Sequence, residues 1–93
     1  MYDRILVRMR TCIRSNNYRM SEHAKAESWD EGITLIAIEQ AVLEGSIVER
    51  QRDSVSNEHK FVVRSSEHFA GRIEIVAKFG PVGELYIITG YSI

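Results

Sequence analysis

This chain of 93 residues has one cysteine, one proline and no long apolar run. A lone cysteine, Cys12, excludes an internal disulfide and a cysteine-built metal site. A membrane-spanning helix needs about 20 consecutive apolar residues, so no membrane span is expected. Histidines at positions 23, 59 and 68 are too scattered for metal-ligand spacing, and no metal or cofactor is expected. Phosphate-cradling glycine loops, nucleophile elbows and paired catalytic carboxylates are missing as motifs. The net charge of −1 and pI near 6.3 argue against the broad basic footprint of a nucleic-acid-binding domain. The basic segment 1–10 lacks the uninterrupted apolar core of a signal peptide, and a cytoplasmic location is the default expectation.

What is present suits one small globular domain over residues 1–93, at 44% hydrophobic and 27% charged. Its charge is unevenly spread. Residues 1–20 carry five arginines against Asp3, residues 21–49 carry seven acids against Lys25, and the remainder is nearly balanced.

The pattern divides into a helical front and a strand-rich back. Within 1–17, Ile5, Leu6, Met9, Cys12 and Ile13 share one arc of a helix, with Arg4, Arg8, Arg10 and Arg14 opposite. Cys12 on that stripe reads as an inert core thiol. Residues 18–20 read as a link or a short edge strand. The segment 21–45 reads as a helical pair. Ser21 caps the first helix, which shows a weak apolar stripe of Ala26 and Trp29 and stops at Gly32. Thr34 caps the second helix, about 35–44, and Gly45 is expected to close it in the same manner. From 46 to 93 the period becomes two, giving strands near 47–52, 59–65, 71–79 and 84–92, with a Gly80–Gly83 turn of type I. Alternation in the last strand puts Leu85, Ile87, Thr89 and Tyr91 on one face and Tyr86, Ile88, Gly90 and Ser92 on the other. Apolar residues on both faces make that strand central. The expected fold class is α+β, with N-terminal helices on a sheet of four antiparallel strands.

His23 is the leading candidate for chemistry. It falls in the first turn of a helix, where exposed backbone N–H groups favour the neutral imidazole that a general base needs. The simpler reading is a polar residue at a helix start. Thr89 and Tyr91 form a hydroxyl pair able to position a phosphate or ribose, or are just strand-forming residues on a half-buried face. His59 and His68 read as surface residues. The arginines of the first helix form a solvated face or a phosphate-binding one.

The ordered string Ser21-Glu22-His23-Ala24, Gly32-Ile33-Thr34, Ile38, Ala41-Val42-Leu43-Glu44-Gly45 and Ile47-Val48-Glu49, with Thr89-Gly90-Tyr91 at the end, resembles the domain-of-unknown-function family numbered 4258. The resemblance covers residues 21–93, and the arginine-rich first helix looks like an added element. It implies a RelE-like arrangement within the barnase/EndoU/colicin/RelE group of ribonuclease folds, and hence a metal-independent endoribonuclease of toxin type. RNA and a cognate antitoxin would be the partners, and a homodimer is compatible. Under that resemblance His23 is the catalytic base or acid, and Thr89 and Tyr91 hold the phosphate. Arg72 or Lys78 on the neighbouring strand could supply a cation for the developing charge. The chain departs from the family at Glu27, where a basic residue is common. The alternative is a non-catalytic protein-interaction module.

Overall fold

The computed structural model describes residues 2–66 and 72–93. In chain order the elements are α1 (Asp3–Arg14), β1 (Tyr18–Met20), α2 (Glu22–Asp30), α3 (Leu35–Glu44), β2 (Ser46–Arg52), β3 (His59–Arg64), β4 (Ile73–Phe79) and β5 (Leu85–Ser92). The α+β class holds. The sheet, however, has five strands in the order β1-β5-β4-β3-β2, and it is mixed rather than purely antiparallel, because β1 runs parallel to β5. No helix among the described residues is long and apolar enough to cross a membrane. His68 and the expected start of the third strand at Gly71 lie outside the described residues.

The core lies between α1, α3 and one face of the sheet. Met9, Ile38, Val42, Val63, Ile75, Leu85 and Ile87 are its largest fully buried side chains. The stripe read on α1 is confirmed by burial of Met9, Cys12 and Ile13. Arg10 leaves the solvated arginine face: its Nε donates to the Val42 carbonyl at 3.0 Å and its Nη2 to that of Gly45 at 2.9 Å. A cation there satisfies the orphan carbonyls and offsets the dipole at the end of α3. Tyr18 in β1 donates to Glu39 on α3, and burial together with that bond pushes its phenol up to about 12.

The two glycines that end helices do so differently. Gly32, at φ +69, follows a C-terminal turn in which Gly32 N–H bonds to Trp29 O and Ile33 N–H to Ser28 O. A left-handed residue is required there. Gly45 has φ −87, which any residue adopts. Its constraint is space: a Cβ would meet Arg64 O at 2.2 Å and Ala41 O at 2.3 Å, so β3 crosses against bare backbone.

The weak stripe expected on α2 is turned the other way. Trp29 is 85% exposed and Ala26 is exposed, while Ala24 and Ser28 are buried. The alternation expected in β5 also breaks. Ala77 pairs with Ile87 and Val76 with Thr89, so Ile88 is an extra residue on β5. A bulge of this kind resets the period. Leu85, Ile87 and Gly90 face the core side, and Tyr86, Thr89 and Tyr91 face away from it.

These placements predict that Ile87→Ala, truncating a fully buried side chain in β5, costs about 3 kcal/mol in urea unfolding. Val55→Ala, at a side chain that is 95% exposed, should leave the midpoint unchanged.

Candidate functional site

Strand β1 pairs with β5 only from Leu85 to Ile87. Beyond Ile87 the edge of β5 needs other partners, and the chain provides them by turning from strand to helix at Ser21. Ser21 N–H bonds to Ile87 O at 2.8 Å, and Ser21 Oγ donates to Ile88 O at 2.7 Å while accepting from Ala24 N–H at 2.9 Å. One hydroxyl thereby caps α2 and pins it to the sheet. Further along, Glu27 Oε1 accepts from Thr89 Oγ1 at 2.8 Å and from Gly90 N–H at 2.9 Å. Glu31 accepts from Ser92 N–H at 3.2 Å. Four helical residues rise about 6 Å and two strand residues about 6.8 Å, so acids at 27 and 31 match amides at 90 and 92.

His23 stands at the rim of this network with its side chain 70% exposed, Nε2 at 3.8 Å from Glu27 Oε1. Thr89 is hydrogen-bonded to the carboxylate oxygen that His23 approaches without bonding. Tyr91 belongs to a neighbouring cluster. Its hydroxyl donates to Glu74 Oε1 at 2.9 Å, and Arg64 holds Glu74 Oε2 through Nε at 2.8 Å and Nη2 at 2.7 Å. Burial works against an ionised Glu74. The bonds from Arg64 and Tyr91 and the charges of Arg64 and Arg72 outweigh it, holding the carboxyl below its ordinary value. The Tyr91 phenol is pushed up by its bond to Glu74, then by burial and by the charges of Glu74, Glu27 and Glu49.

Arg72 is exposed immediately before β4, close enough for its charge to act on Glu74. Lys78 sits toward the other end of β4, bound to Glu58 at 2.6 Å and 6.0 Å from the Tyr86 ring centroid. The structure thus gathers His23, Thr89 and, one carboxylate away, Tyr91 and Arg72. It leaves Lys78 apart, and His59 is exposed at the start of β3.

Two features escaped the sequence reading. One is the role of Glu27, legible in hindsight only through the spacing of acids at 27 and 31. The other is an apolar groove between α2 and α3. A hollow of about 410 Å³ is lined by Ser28, Trp29, Gly32, Ile33, Thr34 and Leu35. It runs on over Met20 and Ile38 into a smaller one of about 160 Å³. Leu35 is 53% exposed and Trp29 85%. Comparison with known protein families, curated proteins and solved structures finds no match.

The unfolded Glu74 carboxyl titrates near its ordinary value of 4.5 and the folded one lower. Its network therefore contributes fully above that pH and is lost as acid carries the solution down through the folded value. Urea midpoints measured from pH 6 down to pH 3 should fall more steeply for the wild type than for Glu74→Gln, whose profile lacks this titration.

Proposed function

We propose that this domain is a non-catalytic protein-interaction module that receives a partner in the groove between α2 and α3. The observation that carries this reading is the exposure of Trp29 and Leu35 beside an apolar hollow. Small soluble domains bury a tryptophan when they can, and a contiguous apolar patch left open marks a contact surface. Here the far side of α2 is occupied with sealing β5, so its tryptophan is left for a partner.

A second reading, a metal-independent endoribonuclease with a RelE-like arrangement, is favoured by one feature. The solvent-open His23 stands 3.8 Å from the carboxylate that holds Thr89, and an imidazole beside an acid could serve as a general base once a hydrogen bond formed between them. RNA and an antitoxin would be its partners, with Arg72 as the cation. Weighing against it, the protons of Thr89 and Tyr91 are both given to carboxylates. A phosphate placed between them would meet Glu27 and Glu74 rather than free donors. Arg64, the strongest neighbouring cation, is already neutralised by Glu74.

The two readings separate in one assay. Radiolabelled RNA incubated with the purified protein in chelator at low salt should remain intact, with no measurable binding. Cleavage that disappears in His23→Ala would overturn the module reading in favour of the ribonuclease.

A further inference from the structure

The sheet has two outer edges, and the chain treats them differently. At one end β2 is guarded: a bulge at Val48 breaks its register, and Glu49, Arg50 and Arg52 line its length. At the other end stands β1, three residues long. Its parallel register with β5, with bonds from Leu85 N–H to Asn17 O and from Ser21 N–H to Ile87 O, turns the main-chain groups of Arg19 toward β5. The N–H and C=O of Tyr18 and Met20 therefore point outward, and among the described residues no backbone group pairs with them. Tyr18, Arg19 and Met20 line a hollow of about 360 Å³ with Asn16, Lys25 and Leu35. Through Met20, Lys25 and Leu35 it joins the apolar hollow over Ile33 and Ile38. Among the described residues, Arg19 and Lys25 are the charged side chains lining this stretch, and no carboxylate does. Both cations are loosely held. Arg19 lies over the Tyr86 ring and stands 3.9 Å from Glu84, too far for a hydrogen bond. Lys25 meets Glu22 at 3.3 Å, a solvent-exposed pair of the kind that contributes little.

Open backbone groups select an extended segment, since a helix has none to offer in return. Building on the interaction-module reading, we infer that β1 takes an added strand from a partner protein, alternating apolar and acidic residues. The residue opposite Arg19 shares its face of the sheet and is an acid. Its neighbours lie opposite Tyr18 and Met20, on the face where Tyr18 bonds to Glu39 of α3 and Met20 packs on the core. The one beside Met20 puts an apolar side chain into the hollow of about 160 Å³ over Ile38, and an acid at that end of the segment meets Lys25. A second copy of this chain suits the edge badly. Antiparallel pairing of β1 with itself about Arg19 sets two arginines directly opposite each other, which is destabilising. The outward groups of two residues make few bonds, so the hollow and the two cations decide affinity and choice.

The probe is a designed peptide of about eight residues alternating valine and glutamate, beside a counterpart with lysines for the glutamates. In the free protein the Tyr18 and Met20 amides should exchange rapidly by NMR, and that of Arg19, directed at β5, more slowly. Saturating glutamate peptide should slow the Tyr18 and Met20 amides at least about tenfold and bind roughly tenfold tighter than the lysine form. The double variant Arg19→Gln, Lys25→Gln changes two exposed side chains and should bring the two peptides level without abolishing binding. Of two further peptides, N-methylated at the valines or at the glutamates, one should lose binding about tenfold and the other keep it, because alternate amides face β1. Equal binding of the glutamate and lysine forms would overturn the acidic partner, and equal binding of the two N-methylated forms would overturn strand addition. Trp29, the only tryptophan in the chain, lines the adjoining hollow and reports its occupancy. A peptide that shifts its emission but leaves the two amides unprotected occupies the groove without the edge, which overturns this inference and supports the module reading. No response to any peptide at millimolar concentration would overturn the inference alone, since the module reading stands or falls on the RNA assay. Protection of Tyr18 and Met20 that grows with protein concentration in the absence of peptide would give the edge to a second copy of this chain instead.

Discussion

The open edge of β5 is the constraint around which this small fold is arranged. Strand β5 is flanked on one side by β4 and has its other edge covered by only three residues of β1. The remaining backbone groups of β5 would face solvent as a template for uncontrolled pairing. The chain answers by running α2 along that edge and supplying side-chain oxygens where a strand would supply carbonyls. Bonds to a charged acceptor are worth about 1.5–3 kcal/mol each, against about 1–3 kcal/mol for leaving a buried N–H unmet. Glu27, with two such bonds, is therefore a structural residue before it is anything else.

That arrangement has consequences on both sides of the helix. Toward the sheet, it consumes groups that could otherwise handle a substrate: Thr89 gives its proton to Glu27, and Tyr91, on the same face of β5, gives its proton to Glu74. Away from the sheet, it turns Trp29 outward, because positions 24, 27, 28 and 31 form the inner face and Trp29 does not belong to it. A helix whose sheet-facing side is two acids, an alanine and a serine gains little from hydrophobic burial. It is held by hydrogen bonds, and its tryptophan is left exposed on the other side. The two faces of α2 explain each other.

The fold class was legible because the hydrophobic period changes from helical to alternating after Gly45, and the two polar caps, Ser21 and Thr34, both accept from the third amide beyond them. The parallel pairing of β1 was not, since Tyr18-Arg19-Met20 is too short to carry a pattern. The bulge at Ile88 was invisible for a different reason: an isoleucine suits either face of a central strand, so the sequence alternates on paper where the backbone does not. Of the candidate site, His23 and Thr89 were each legible as candidate residues, though not that both lie near one carboxylate. What joins them was not, because Glu27 gains its meaning only from the strand opposite. Trp29 was misplaced by the default that puts large apolar residues inside, and that default yields when the inner face of a helix is already committed to polar work.

The central claim is that Glu27 seals the β5 edge. Amide hydrogen exchange at Gly90, followed by NMR in the wild type and in Glu27→Ala, tests it most directly. The account predicts that the Gly90 amide, slow in the wild type, exchanges on the order of 10- to 100-fold faster in the variant, while the core amides of Ile75 and Ile87 stay protected. A Gly90 amide that exchanges as slowly without the carboxylate as with it would contradict the account.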